Sequence, residues 1–174
     1  GVTVQPMVTQ IAPVEAQELI QVLHVRSVAI LYDPSTYTSG IASQLKGLLQ
    51  TAGVAVPVDT VVSPSGSSAQ VSQHIATALR SVSAAQPSVT YLAMYGPEAG
   101  KAAAAMNTTG SGPAGSFGRC FVDLAAQGSA FISAAGSSAS TCIASGVPAA
   151  DQLPNGASYV AAYQKAFGAP PGTW

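Results

Sequence analysis

Three short stretches place chemically capable side chains at the ends of apolar runs. "VAILYD" closes on Asp33 and is followed by Ser35, Thr36 and Tyr37; "VTYLAMYG" closes on Tyr95 and Gly96, with Pro97 and Glu98 behind them; "CFVD" closes on Asp123. A carboxylate accepts charge-assisted hydrogen bonds from a cationic group, and a tyrosine adds apolar contact area while its hydroxyl stays paired. Such a set suits recognition of a small polar molecule. Plainer duties also fit some of these residues: Asp33 before Pro34 is a turn former, and Glu98, just inside a helix, complements the helix dipole.

The rest of the sequence offers little to an enzyme. Nucleophilic catalysis needs a serine or cysteine with a histidine and an acid in reach, and the chain has two histidines. His24 falls in the link "VLHVRS" and His74 in the middle of a helical pattern, both away from the strand ends where open α/β sheets place their sites. There is no GxSxG elbow and no GxxxxGK[ST] loop. "GSGPAG" at 110–115 matches the GxGxxG dinucleotide pattern in letters only. That pattern works when a strand precedes it and a helix follows; here a helix precedes, a strand follows, and Pro113 interrupts. The two cysteines and two histidines lack metal-ligand spacing. No cofactor and no metal is expected.

Composition narrows the partners. Only 7% of the 174 residues are charged, six Lys and Arg against seven Asp and Glu, where an average soluble domain carries about 25%. Neither sign is clustered, so the chain has no electrostatic footprint for nucleic acid or an anionic bilayer. The uncharged interval 124–150 is too often broken by Ser, Gly, Gln and Pro to span a membrane. The opening "GVTVQPMVTQ" reads as a strand within a fold, which places any signal peptide outside this sequence. Asn107 heads the glycosylation triplet "NTT", a mark of exposure and little more. Cys120 and Cys142 are either two inert buried thiols or, if their strands are neighbours in an oxidising compartment, a disulfide closing a loop of about 20 residues.

These residues must be positioned by repeating units. Strand-like runs recur near 3–9, 27–33, 54–62, 88–95, 118–123 and 139–144, mostly about 30 residues apart. Between them, Ile41, Leu45, Leu48, Leu49 and Ala52, and again Val71, Ile75, Ala78, Leu79 and Val82, fall at one-face helical spacing. Pro13 reads as the start of the first helix, Gly53 as the end of the second, and Ser65 to Ser68 as caps for the third. The alternation predicts one domain over 1–174, an α/β fold of the Rossmann-like or flavodoxin-like kind: a parallel sheet between two helical layers. The segments 107–118 and 145–156 read as turn-rich loops.

In order and spacing, these segments resemble the second lobe of the type I periplasmic binding proteins, the branched-chain amino acid receptor group of ABC transporters. "RSVAILYDPSTYTSGIASQLKGLLQTAGVAV" is similar to that family's strand, Asp-x-x-x-Tyr-x-x-Gly loop and helix; "QPSVTYLAMYGPEAGKAAAAM" to its strand ending in Tyr-Gly-Pro-Glu; "AFISAAG" and "SYVAAYQKAFGAPP" to its later helices; "PMVTQIAPVEAQELIQVL" to the segment entering the lobe. The resemblance implies an extracytoplasmic, non-catalytic lobe that closes with a first lobe of the same protein on an amino acid, amide or carboxylate, and that serves a membrane permease. It implies that Tyr37 and Tyr95 flank the ligand and that Asp123 lies near the position accepting an α-ammonium group, although the segment after Asp123 is one residue longer than usual. It also implies that 1–174 is one lobe of a longer protein. A sensor or regulator with the same lobe is the alternative within the binding class, and a small flavodoxin-like enzyme the alternative outside it.

Overall fold

A computed structural model describes residues 7–109, 115–148, 152 and 154–171. Five strands, β1 (Ser27–Tyr32), β2 (Ala55–Val61), β3 (Val89–Ala93), β4 (Arg119–Val122) and β5 (Cys142–Ala144), form one sheet in the order β2-β1-β3-β4-β5. Every neighbouring pair is parallel. Six α-helices accompany them: α1 (Val8–Gln17), α2 (Thr36–Thr51), α3 (Ser68–Ala85), α4 (Gly96–Thr109), α5 (Ser129–Ala135) and α6 (Gly156–Phe167).

Side chains alternate across a strand, and the two faces of the sheet divide the core accordingly. Val28, Ile30, Tyr91 and Phe121 point to one face, where Ile11 and Leu19 of the amino-terminal segment and Ile41, Leu45 and Leu49 of α2 cover them. Ala29, Leu31, Leu92 and Val122 point to the other, under Val71, Ile75 and Leu79 of α3, Ala99 and Ala103 of α4 and Phe131 of α5. The expected three-layer α/β fold is what the chain forms.

Local chemistry explains where the elements begin and end. Ser67 caps α3 reciprocally with Gln70: its hydroxyl accepts from the Gln70 N–H at 3.3 Å, and the Gln70 Oε1 accepts from the Ser67 N–H at 2.8 Å. Gly53 follows α2 with φ 78°, a left-handed turn that favours glycine. Two expectations fail near the amino terminus. Val8 and Thr9 open a helix instead of ending a strand, and 3–6 lie outside the described residues. Pro13 sits inside α1, not at its start; the carbonyl it leaves without an intrahelical partner belongs to Thr9, which is exposed. Farther along, residues 107–109 belong to the last turn of α4 and not to a loop, and 136–141 is 3₁₀ helix, so of the strand expected near 139–144 only the last three residues form β5.

Cys120 and Cys142 are register partners on β4 and β5 and are joined as a disulfide, 22 residues apart in sequence. The alternative of two free thiols is thereby closed.

On the same face of the sheet α4 lies against α5 at very short range. A Cβ at Gly100 would stand 2.6 Å from the Ala134 Cβ, 2.7 Å from the Phe131 carbonyl oxygen and 2.9 Å from the Ala135 nitrogen. Gly47 of α2 has nothing within 4 Å of the same position.

Two stability measurements follow from this packing. Gly47→Ala is expected to stabilise the chain by roughly 0.5–1 kcal/mol through helix propensity, whereas Gly100→Ala is expected to destabilise it by about 1–3 kcal/mol because α5 must move; urea unfolding of the two variants distinguishes the signs. Reduction of the disulfide is expected to lower unfolding free energy by about 3 kcal/mol, read as a lower urea midpoint with reductant present.

Candidate functional site

A parallel sheet with the order β2-β1-β3-β4-β5 reverses its winding between β1 and β3, and the loops leaving those strands part there to open a crevice. The loop after β1 carries Asp33 and Ser35 and leads into Thr36 and Tyr37, the first two residues of α2. After β3 come Tyr95 and then Gly96, the first residue of α4, and Asp123 follows β4. The residues expected to face a ligand, Asp33, Ser35, Thr36, Tyr37, Tyr95, Gly96 and Asp123, therefore follow strands on one edge of the sheet.

Their local roles differ. Asp33 folds the turn into α2: its Oδ1 accepts from the Ser35 N–H and the Thr38 hydroxyl, both at 2.8 Å. Ser35 is the N-cap of α2, its hydroxyl accepting from the Thr38 N–H at 3.3 Å. Thr36 is exposed. Gly96 is buried, and a Cβ there would meet the Phe131 nitrogen at 3.0 Å, so its position against α5 is a packing duty. Tyr95 is 47% exposed at the head of α4. Tyr37 is half-buried; burial, and then the negative charges of Asp123 and Glu15, push its hydroxyl up to about 12. Tyr95 contributes to the same shift, which places both rings in one electrostatic neighbourhood.

Asp123 is fully buried. Its Oδ1 accepts from the Ala125 N–H at 2.6 Å and caps a short 3₁₀ turn. Its Oδ2 is buried without a hydrogen bond among the described residues. Desolvation, and then the charge of Glu15, push the carboxyl up to about 8.

Glu15 is the residue that sequence reasoning missed. It lies on α1 and is 2% exposed; its Oε2 accepts a short hydrogen bond from the hydroxyl of Tyr91, in the middle of β3. Ser145, just past β5, stands beside it, yet no hydrogen bond of good geometry closes on Oε1. Burial raises its carboxyl above the usual range, and the Tyr91 and Ser145 hydroxyls offset part of that rise. A signal was present: Glu15 falls in step with Ile11, Ala12, Ala16 and Leu19, the buried stripe of the amino-terminal segment.

Glu15, Asp33 and Asp123 are thus three buried carboxyls, each with one oxygen that has no hydrogen bond among the described residues. The ion pair recorded among the described residues, Lys46 with Asp59 at 2.7 Å, involves none of them. Buried carboxylates are ordinarily paired with a cation or fully hydrogen-bonded, because removing one from water costs several kcal/mol. No group of three or more His, Cys, Asp and Glu among the described residues is arranged to hold a metal ion.

Other candidates fall away from it. His24 precedes β1 at the opposite edge, and His74 Nδ1 lies 3.0 Å from the Ser63 carbonyl oxygen on the exposed side of α3. The dinucleotide-like stretch falls outside the described residues except Gly115; α4 precedes it and β4 follows, the reverse of what a nucleotide fingerprint requires. Grooves at the opposite edge, around Pro87, Ser88, Gly118 and Arg119, contain none of the acids. No helix among the described residues is long and apolar enough to cross a membrane.

No protein-family model and no curated protein sequence matches the chain. Solved structures do. A leucine-binding protein from Thermotoga maritima superposes with a TM-score of 0.68 at 16% identity, over 92% of this chain and 43% of its own. A protein assigned to branched-chain amino acid ABC transport in Rhodospirillum rubrum gives 0.68 at 22%, over 92% and 43%. An extracellular ligand-binding receptor from Rhodopseudomonas palustris HaA2 gives 0.67 at 17%, over 97% and 46%. The chain thus spans less than half the length of each of these proteins. It has the fold of one lobe of a periplasmic binding protein.

Proposed function

We propose that this lobe forms half of an extracytoplasmic binding site for a small ligand bearing an ammonium group, an amino acid or a close relative, and that it delivers no catalysis. The observation that carries the proposal is the set of three buried carboxyls, each with an oxygen that has no hydrogen bond among the described residues: Asp33 and Asp123 follow β1 and β4, and Glu15 meets Tyr91 of β3. The rings of Tyr37 and Tyr95 would exclude water from the ligand and present π faces to its cation, which strengthens the bond to Asp123. Groups that hold the rest of the ligand would come from a second lobe, and closure of the two would complete the site. The names carried by the similar structures, among them a leucine-binding protein and an extracellular receptor, support this reading. A disulfide in the lobe fits an oxidising compartment outside the cytoplasm. Delivery to an ABC permease is the transport role consistent with the same names.

Burial of the acids also sets how stability responds to pH. Burial pushes the Asp123 carboxyl up to about 8 from an ordinary 3.8, so between those values the folded state is expected to keep a proton that the unfolded state has lost. The unfolded state therefore binds fewer protons, and unfolding free energy falls as pH rises through that window. The raised Glu15 acts in the same direction.

Thermal unfolding from pH 4 to pH 9 is expected to show a falling melting temperature up to about pH 8, and Asp123→Asn to flatten the decline; a wild-type profile that rises with pH contradicts the burial of these groups. L-Leucine titrated into the chain is expected to shift the ring resonances of Tyr37 and Tyr95 with a dissociation constant weaker than about 1 mM, since half a site forgoes half the contacts. Asp123→Asn is expected to abolish those shifts. Shifts confined to residues around Pro87 and Arg119, or unchanged by Asp123→Asn, overturn the proposed site.

A further inference from the structure

Helices α1 to α5 each bury side chains in the core, and α6 does not. Of its twelve residues only Gly156 is buried, and none belongs to either half of the core. The helix is nonetheless two-sided. Tyr159, Tyr163 and Phe167 fall four residues apart and form one continuous aromatic stripe, with ring centroids 5.9 Å apart in the first pair and 4.5 Å in the second. Tyr163 is half-buried between its neighbours, while Tyr159 is 53% exposed and Phe167 71%. Lys165, the one charged residue of the helix, lies about 200° around it from Tyr163, on the far side.

We propose that this stripe is the seat of the second lobe: an apolar face of the polypeptide beyond residues 1–174 covers Tyr159, Tyr163 and Phe167 whether or not a ligand is bound. The inference rests on the reading of the chain as one of two lobes. It deepens that reading by naming a contact that holds the partner lobe without the help of the ligand.

Three observations carry it. The first is that α6 has little of its own to hold it folded. A helix of about 12 residues is marginal alone in water, and Asn155 at its N-cap makes no side-chain capping bond. Cover on the aromatic face supplies the apolar burial that the sheet does not provide. The second is length: this chain spans less than half of each solved structure named above that shares its fold, which leaves a body of lobe size in proteins of that kind to do the covering. The third is charge. A helix that lies on a membrane surface carries a polar face rich in Lys and Arg, and α6 has a single lysine, so its stripe suits a protein surface and not a bilayer. The two tyrosine hydroxyls ask for polar atoms at the rim of the covering face.

The test is hydroxyl-radical footprinting read by mass spectrometry, on the 174-residue chain and on the natural polypeptide that contains it, each with and without L-leucine. Tyr159, Tyr163 and Phe167 are expected to oxidise readily in the shorter chain and about fivefold more slowly in the longer one, with leucine or without, as buried rings do. Tyr95 serves as the control at the cleft, where protection in the longer protein is expected only with leucine. Tyr159→Ser combined with Phe167→Ser is expected to leave the urea midpoint of the shorter chain unchanged and to lower that of the longer one. Equal oxidation of the stripe in both chains overturns the inference, and leucine-dependent protection of Tyr95 in the same experiment leaves the half-site reading standing. A protected stripe with a Tyr95 indifferent to leucine upholds the docking face and overturns the leucine half-site. A longer protein that is a dimer, and that the double substitution turns into a monomer, assigns the stripe to a second copy and overturns the inference. A natural polypeptide with no second lobe overturns both readings.

Discussion

Parallel pairing is the constraint from which the rest of this molecule follows. Each strand runs the same way and each returns by a crossover, so every strand must release its chain on a single edge. That alone brings Asp33, Tyr95, Asp123 and Ser145 together from positions spread over more than a hundred residues. The reversal of winding between β1 and β3 then parts the loops and leaves a crevice where those groups lie. No local property of any one segment creates the site.

The same edge is where the protein accepts instability. A core that closes tightly elsewhere, with Gly100 admitting α5 to van der Waals range and paired caps at α3, here buries three acids whose second oxygens have no hydrogen bond among the described residues. Groups left incomplete in the free protein favour a ligand that completes them, because desolvation has already been suffered before the ligand arrives. The aromatic residues follow a related logic. Tyr91 is buried and ties a carboxyl to the sheet, while Tyr95 stands half in solvent, free to meet whatever enters.

Much of the architecture was legible in the sequence. The apolar runs "SVAILY" and "VTYLA" are long, flanked by Ser, Gly and Pro, and spaced by helical patterns, so β1, β3 and the helices between them follow directly. The amino-terminal segment misled because Val8 and Thr9 are β-branched, yet packing of Ile11, Ala12, Ala16 and Leu19 on the sheet overrides that local preference. Pairing of Cys120 with Cys142 depended on β4 and β5 being neighbours, which spacing could raise but not decide. The contact between Glu15 and Tyr91 joins residues 76 apart. From the chain alone, Glu15 showed only as an acid in an apolar stripe, and its partner became apparent once α1 was laid across β3. Gly96 read as part of a ligand loop because it follows a strand; its closeness to α5 is a property of tertiary packing.

The borders of the sheet bear on how the chain behaves in a crowd. Proline at position 57 removes a donor from β2, and the pairing of that strand with β1 slips by one residue beside it. At the far border β5 is three residues long and riveted to its neighbour through sulfur. Foreign strands looking for a template thus find one flank crooked and the other almost absent. With few charges to keep copies apart by repulsion, this blunting of the flanks disfavours edge-to-edge pairing of one sheet with another.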